Sequence, residues 1–281
     1  MKLFSMNAGF FKLDGGAMFG VVPRVIWEKL NPPDEKNLCT WAMRCLLIEV
    51  QDRRILIDTG IGTKQSEKFF SYYEPSGGPI EKALRDKGIE PETITDVILT
   101  HLHFDHCGGA ITKDEEGNLI PTFPNATYWS NHRHWDWAMR PNPRERASFL
   151  KENFAPLEEW GKVKWLYDGD EIVPGVKVHF VYGHTEAMML VRVSLPKGKD
   201  LIYMADLIPS AAHVPLPYVM AYDVKPLQTL QERERFLKEA VEKGHILFFE
   251  HDPVNECAVV EEGKRYPVVS RLLTLEEVVN G

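Results

Sequence analysis

The chain has 281 residues, 44% of them apolar and 26% charged, which is the balance of an ordinary soluble protein with room for a full core. A formal net charge of −8 argues against a nucleic-acid partner held through its phosphates. No apolar run is long enough to span a membrane, the N-terminus lacks an apolar signal core, and the four cysteines follow no zinc-finger or CxxC spacing, so a cytoplasmic protein with reduced thiols is expected.

Residues 1–37 hold Gly15-Gly16-Ala17-Met18-Phe19-Gly20, Trp27 and Asn31-Pro32-Pro33-Asp34. That density of glycine and proline predicts a long irregular segment after a short first strand. An apolar segment with few charges must cover something: Met18, Phe19 and Trp27 either wall a substrate pocket or plug an edge of the fold. Two apolar runs, 41–50 and 54–60, flank the polar turn Gln51-Asp52-Arg53 and read as a hairpin. Asp58 closes the second run, placed either to cap a turn or to accept a hydrogen bond from a neighbouring imidazole. A polar helix over 66–71, a break at Ser76-Gly77-Gly78-Pro79 and an amphipathic helix over 80–87 lead to the next strand.

That strand runs from Asp96 into Thr100-His101-Leu102-His103-Phe104-Asp105-His106-Cys107-Gly108-Gly109. Side chains alternate along a strand, so His101 and His103 face the same way and can hold one ion together. Asp105 and His106 then fall in the turn, where a carboxylate and a third imidazole suit a second cation and the two glycines let the backbone pass close beneath. Further on, 112–125 is a loop or small hairpin, 126–130 a strand, and 144–160 helical apart from an interruption at Pro156. His132 and His134 fall on different faces of a helix and read as surface residues. The second half is similar in outline, with strands over 163–166, 176–182, 189–195, 201–206 and 246–252, an amphipathic helix over 227–243, and a last hairpin and helix between 258 and 279. His184, Asp206 and His251 stand at the ends of three of these strands and are further ligand candidates.

Strand ends bearing Asp58, His101 to His106, His184, Asp206 and His251, in that order, resemble the metallo-β-lactamase superfamily over most of the chain from Trp41 to Asp252. The resemblance implies an α/β fold, the αββα four-layer sandwich of two mixed β-sheets with helices outside, as a single domain over 1–281 in which 1–40 cover the pocket. It also implies a dinuclear site: His101, His103 and His184 on one ion, Asp105, His106 and His251 on the other, Asp206 bridging them and Asp58 bracing the ligands. Zinc is the first metal to expect; iron and manganese also suit oxygen and imidazole ligands.

Within the superfamily the chain looks most like the lactonase and organophosphate-hydrolase branch, which includes acyl-homoserine lactonases. It departs in two places. Met188 stands where many members have a supporting imidazole, and Pro209 stands where acyl-homoserine lactonases have a tyrosine. The apolar stretch 206–223 offers His213, Tyr218 and Tyr222 as replacement donors, His213 first, while the two tyrosines are equally suited to pinning a rigid loop. Met18-Phe19 and Met188-Met189 could receive an acyl chain.

Two cations lower the pKa of a shared water and polarise a carbonyl oxygen. The expected activity is therefore hydrolysis of a small apolar ester, first of all a lactone, by metal-bound hydroxide, with Asp105 passing a proton to the leaving alkoxide and His213 donating to the oxyanion. A phosphotriester or aryl ester on the same site is the alternative. His103 stands where di-iron redox relatives carry glutamate, the acidic balance disfavours an RNA-processing nuclease, and so many polar groups would be costly to bury in a non-catalytic binding module. The expected partner is a small molecule, with no nucleic acid and no membrane, and with homodimer formation left open.

Overall fold

A computed structural model describes residues 1–281. Its first strand, β1 (Lys2–Asp14), is long where the sequence suggested a short one. Gly9, at φ +96°, interrupts the alternation of buried and exposed residues that would have announced the strand; a Cβ there would stand 2.4 Å from the Ser76 carbonyl oxygen. The segment expected to be irregular also folds. The Asp14 carboxylate accepts from the Ala17 amide at 2.8 Å and caps the short helix Gly15–Phe19, and a second short helix, Arg24–Trp27, follows.

β2 (Leu38–Val50) and β3 (Arg53–Ile57) are the antiparallel hairpin that the sequence predicts, with Gln51 left-handed in the turn. Next come β4 (Asp96–Ile98), a separate small hairpin of β5 (Ile111–Lys113) and β6 (Leu119–Pro121), and then β7 (Thr127–Ser130) and β8 (Val163–Trp165). The sheet order is β1-β2-β3-β4-β7-β8, parallel from β3 onward. Leu46, Leu47, Leu56, Ile57, Val97 and Ile98 are all fully buried, so both faces of the central strands are covered, which is why these strands read as continuous apolar runs. Residues 144–160, helical by pattern, hold only a turn at Lys151–Asn153 and the helix Ala155–Glu159. The Asn142 side chain accepts from the amides of Arg144 and Glu145, a local alternative to helix formation.

The second large sheet begins with a strand that the sequence did not announce, β9 (Glu171–Val173), and continues with β10 (Val176–Val181), β11 (Met188–Ser194), β12 (Asp200–Tyr203), β13 (Ile246–Phe248), β14 (Cys257–Glu261) and β15 (Val268–Leu273). Its order is simply consecutive, and every pairing is antiparallel except β12 with β13, whose crossover carries the long helix Pro226–Lys243. The amphipathic helix expected over 227–243 thus opens one residue earlier, on proline, and closes on left-handed Gly244. By contacts the chain falls into two compact units, residues 1–11 with 42–167 and residues 12–41 with 168–281. No helix is long and apolar enough to cross a membrane, and the four cysteines are free and buried.

Candidate metal centre

In the first unit the ligand-type residues lie just beyond β4 and not on it. The ladder stops at Ile98; His101 and His103 sit in the following loop, and Asp105 and His106 on the short helix Phe104–Cys107. All four are buried. The loop imidazoles still share a side, with ring centroids 4.6 Å apart, and His106 lies obliquely on His101 at 3.9 Å. The donor atoms of His101 and His103, and those of Asp105 and His106, approach within 4.8 Å.

Asp58 sets which nitrogen two of these imidazoles present. It is fully buried and left-handed at φ +59°; Oδ1 accepts the Thr100 amide at 2.8 Å, and Oδ2 accepts the Thr100 hydroxyl at 2.7 Å and His106 Nδ1 at 3.2 Å. A carboxylate can only accept here, so His106 carries its proton on Nδ1 and presents a bare Nε2. The Thr100 hydroxyl gives its one proton to Asp58. His101, whose Nδ1 is 3.1 Å from that hydroxyl, must then donate to it, and it too presents Nε2. Beside His103, the Glu145 carboxylate stands 3.6 Å from Nε2, which favours a proton there and a bare Nδ1. Glu145 in turn accepts from the Trp137 indole at 2.8 Å and the Asn142 amide at 2.6 Å.

The same loop is pinned by a residue that the sequence placed on the surface. His134 is fully buried, and its Nε2 accepts the Leu102 amide at 2.8 Å. Asn131 caps the helix His132–Met139 through the His134 amide, which turns His134 inward and leaves only His132 exposed, stacked on Trp165 at 4.0 Å. Gly108 and Gly109 complete the support: a Cβ on either would stand 2.2 Å from a carbonyl oxygen, of Ile61 and Thr59 respectively, so only glycine lets the segment after Asp58 run this close.

In the second unit Asp206 turns one oxygen to each of two imidazoles. Oδ2 is 3.0 Å from His184 Nε2, and Oδ1 is 3.1 Å from His251 Nε2. The other ring nitrogen of His184, Nδ1, is 2.8 Å from Asp223 Oδ1 and carries the proton, so Nε2 and the Asp206 carboxylate face each other in an arrangement that calls for a cation or a second proton between them. Burial opposes a charge on His184, yet Asp206 and Asp223 push its pKa up to about 10. The Asp206 segment is shaped by left-handed Ala205, a conformation costing roughly 1–3 kcal/mol outside glycine, and by buried Arg233, which donates to the carbonyls of Leu207 at 2.6 Å and Tyr218 at 2.7 Å. This donor set fits divalent metal ions: imidazoles whose far nitrogens are held by acceptors, and a carboxylate with one oxygen for each of two neighbours.

The expected substrate residues need correction. His213 is fully buried, donates from Nε2 to the Met18 carbonyl at 2.9 Å and accepts the Ser210 hydroxyl at Nδ1 at 2.7 Å, so no N–H remains for a substrate. Burial, helped by the Arg233 charge, holds its pKa down to about 3, and the ring stays neutral. Phe19 is stacked against His213 at 4.7 Å and against Trp27 at 5.4 Å, its rings nearly parallel to both. Met18, Phe19, Trp27 and Met188 each expose 2% or less, so they are packed in the core. Tyr218, half-buried with its ring edge-on to Phe19, and Tyr222, 38% exposed, remain accessible. In the first unit an aromatic cluster went unread: Phe69 and Tyr73, half-buried on the helix Glu67–Tyr73, meet Phe104 at centroid distances of 5.2 and 4.5 Å.

A family model described as the metallo-beta-lactamase superfamily matches residues 44–251. An N-acyl homoserine lactonase of Bacillus thuringiensis is 26% identical over 277 residues, covering 93% of this chain and 98% of the relative. The crystal structure of a probable metal-dependent hydrolase from Staphylococcus aureus matches with a TM-score of 0.86 at 28% identity, covering 97% of this chain and 96% of that one. AidC, a dizinc quorum-quenching lactonase in complex with a product, matches with a TM-score of 0.78 over 95% of this chain and 92% of its own; at 20% identity this likeness bears on the fold alone.

Proposed function

This chain belongs to the metallo-β-lactamase superfamily, with that family's fold and metal-dependent hydrolase chemistry, and from that premise we propose that it opens small lactones at a pair of divalent ions. The observation that carries the reading is Asp206, one oxygen turned to His184 and the other to His251, as a bridging carboxylate requires. In this reading His101, His103 and His184 hold one ion, Asp105, His106 and His251 hold the other, and Asp206 serves both. Zinc is the metal proposed. When bound, the ions supply an acidified water and a Lewis acid for the carbonyl oxygen.

The protein's own residues do the positioning and move the proton. Asp58, Thr100, Glu145 and Asp223 keep the imidazole protons on the nitrogens that face away from the ions. Asp105 accepts the proton of the attacking water and returns it to the ring oxygen that leaves as the carbonyl carbon–oxygen single bond breaks, giving the hydroxy acid. Phe69, Tyr73 and Phe104 offer an apolar face beside Asp105 for an acyl chain. The lactone is favoured over other esters because an N-acyl homoserine lactonase is similar over nearly the whole length of this chain. In this proposal the substrate is a small molecule met in the cytoplasm, and nucleic acid takes no part.

Elemental analysis and a substrate panel test the reading. Two ions per chain are expected, with N-acyl homoserine lactones or plain lactones turned over faster than aryl esters and phosphotriesters. One ion with full activity would overturn the dinuclear assignment. Inert lactones beside a rapidly cleaved phosphotriester would overturn the substrate.

A further inference from the structure

Attack on a carbonyl builds negative charge on its oxygen, and a hydrogen-bond donor aimed at that oxygen stabilises the charge. Two positions near the bridging aspartate are unable to supply one. Pro209 has neither an amide hydrogen nor a polar side chain, and His213 gives its Nε2 proton to Met18.

Tyr73 has what both lack. It is the last residue of the helix Glu67–Tyr73, and its ring packs on Phe104 at 4.5 Å and on Phe69 at 5.0 Å. Phe104 stands between His103 and Asp105 at the start of the short helix Phe104–Cys107, so Tyr73 lies directly against the residue that separates two ligand positions. For this packing a phenylalanine would serve as well, as Phe69 does within the same cluster. Tyr73 is half-buried and its hydroxyl makes no hydrogen bond within the protein, so its proton is free to be given to a ligand in place of water. Burial, and then the Asp105 charge, push the phenol up to about 12, so it is a protonated donor throughout the neutral range and lies within the field of that carboxylate.

We propose that the Tyr73 hydroxyl donates a hydrogen bond to the substrate's carbonyl oxygen as that carbon becomes tetrahedral. The proposal rests on the hydrolase reading above and assigns its oxyanion donor. Tyr73→Phe removes one oxygen and keeps the ring, so folding and metal content should match wild type by thermal melting and elemental analysis. Turnover of an N-acyl homoserine lactone should fall about 10- to 100-fold, toward the loss typical of one oxyanion donor, with KM within about 3-fold, because the bond strengthens only as charge develops. An unchanged kcat with metals in place overturns the proposal, as does a loss confined to Tyr218→Phe assayed in parallel. If wild-type protein leaves lactones untouched and cleaves an aryl ester, the lactone reading fails while the same comparison on the ester still decides Tyr73. Activity confined to phosphotriesters overturns both.

Discussion

Asp58→Asn keeps the shape of the side chain and reverses part of what it offers, since whichever way the amide turns its nitrogen faces a donor, the Thr100 amide on one side or the Thr100 hydroxyl and His106 Nδ1 on the other. Metal affinity, read by competition with a chromophoric chelator, should fall about 10- to 100-fold, the range for groups that orient a ligand. Unchanged affinity would mean that the tautomers are set elsewhere. His134→Phe leaves the Leu102 amide buried without its acceptor, at a cost of about 1–3 kcal/mol; denaturant unfolding should register it in metal-free and metal-loaded protein alike. At this scale His101, His103, Asp105 and His106 were legible because their spacing is itself the signal. Glu145, His134 and Asp223 were not, because a group that acts by holding another side chain or a loop amide has no spacing of its own. His213 misled for a related reason: its place after Asp206 was visible in the sequence, while the Met18 carbonyl and the Phe19 ring that occupy it come from a distant segment.

Among the elements, the long helix Pro226–Lys243 and the β2–β3 hairpin were the clearest in sequence, the first by its amphipathic period and the second by two apolar runs about a polar turn. Strands β4, β12 and β13 came out shorter than their apolar runs, because buried apolar residues continue past the ladder into the segments that carry His101, Asp206 and His251. The support of those segments predicts that Gly109→Ala, whose Cβ would stand 2.2 Å from the Thr59 carbonyl oxygen, displaces the stretch after Asp58. Thermal stability and metal content should fall together, and a normal metal content would show that the two strands of backbone can part without consequence. A second prediction concerns the tie between that long helix and β11. The Arg192 guanidinium, donating to Glu239 at 3.0 Å, outweighs burial and holds the glutamate down to about 2, below its usual 4.5. A folded-state pKa lowered in this way contributes stability above about 4.5 that is lost as pH falls toward about 2. The deficit of Glu239→Gln against wild type in denaturant unfolding should therefore be full at neutral pH and shrink across that interval; a constant deficit would assign the effect to packing.

For the whole molecule, the residues alone indicated a strand-rich α/β chain with ligands at strand ends, and the sandwich followed from the resemblance that the order of those ligands carries. The N-terminal segment was not legible in the same way. Its glycines and prolines suggested a covering loop, whereas Phe19 and Trp27 are packed into a closed aromatic stack. Because the donors come from well-separated stretches of chain, metal binding should be linked to global stability: a strong chelator should lower the thermal midpoint and abolish hydrolysis in parallel, and readdition of zinc should restore both. Loss of activity with an unmoved midpoint would mean that the ions add nothing to the fold.

The placing of Asp58 bears on how such a centre can change over time. Glu145 stands beside one imidazole, His103, whereas Asp58 holds two, His106 directly and His101 through Thr100, which the proposed assignment gives to different ions. On the proposed assignment a change at position 145 acts on His103 alone, so selection for a different metal preference can begin there with the other imidazoles of the first unit left as they are. Position 58 permits no such separate adjustment: a change there reaches His106 and His101 together, and on the proposed assignment elemental analysis of its variants should find the content of both ions altered.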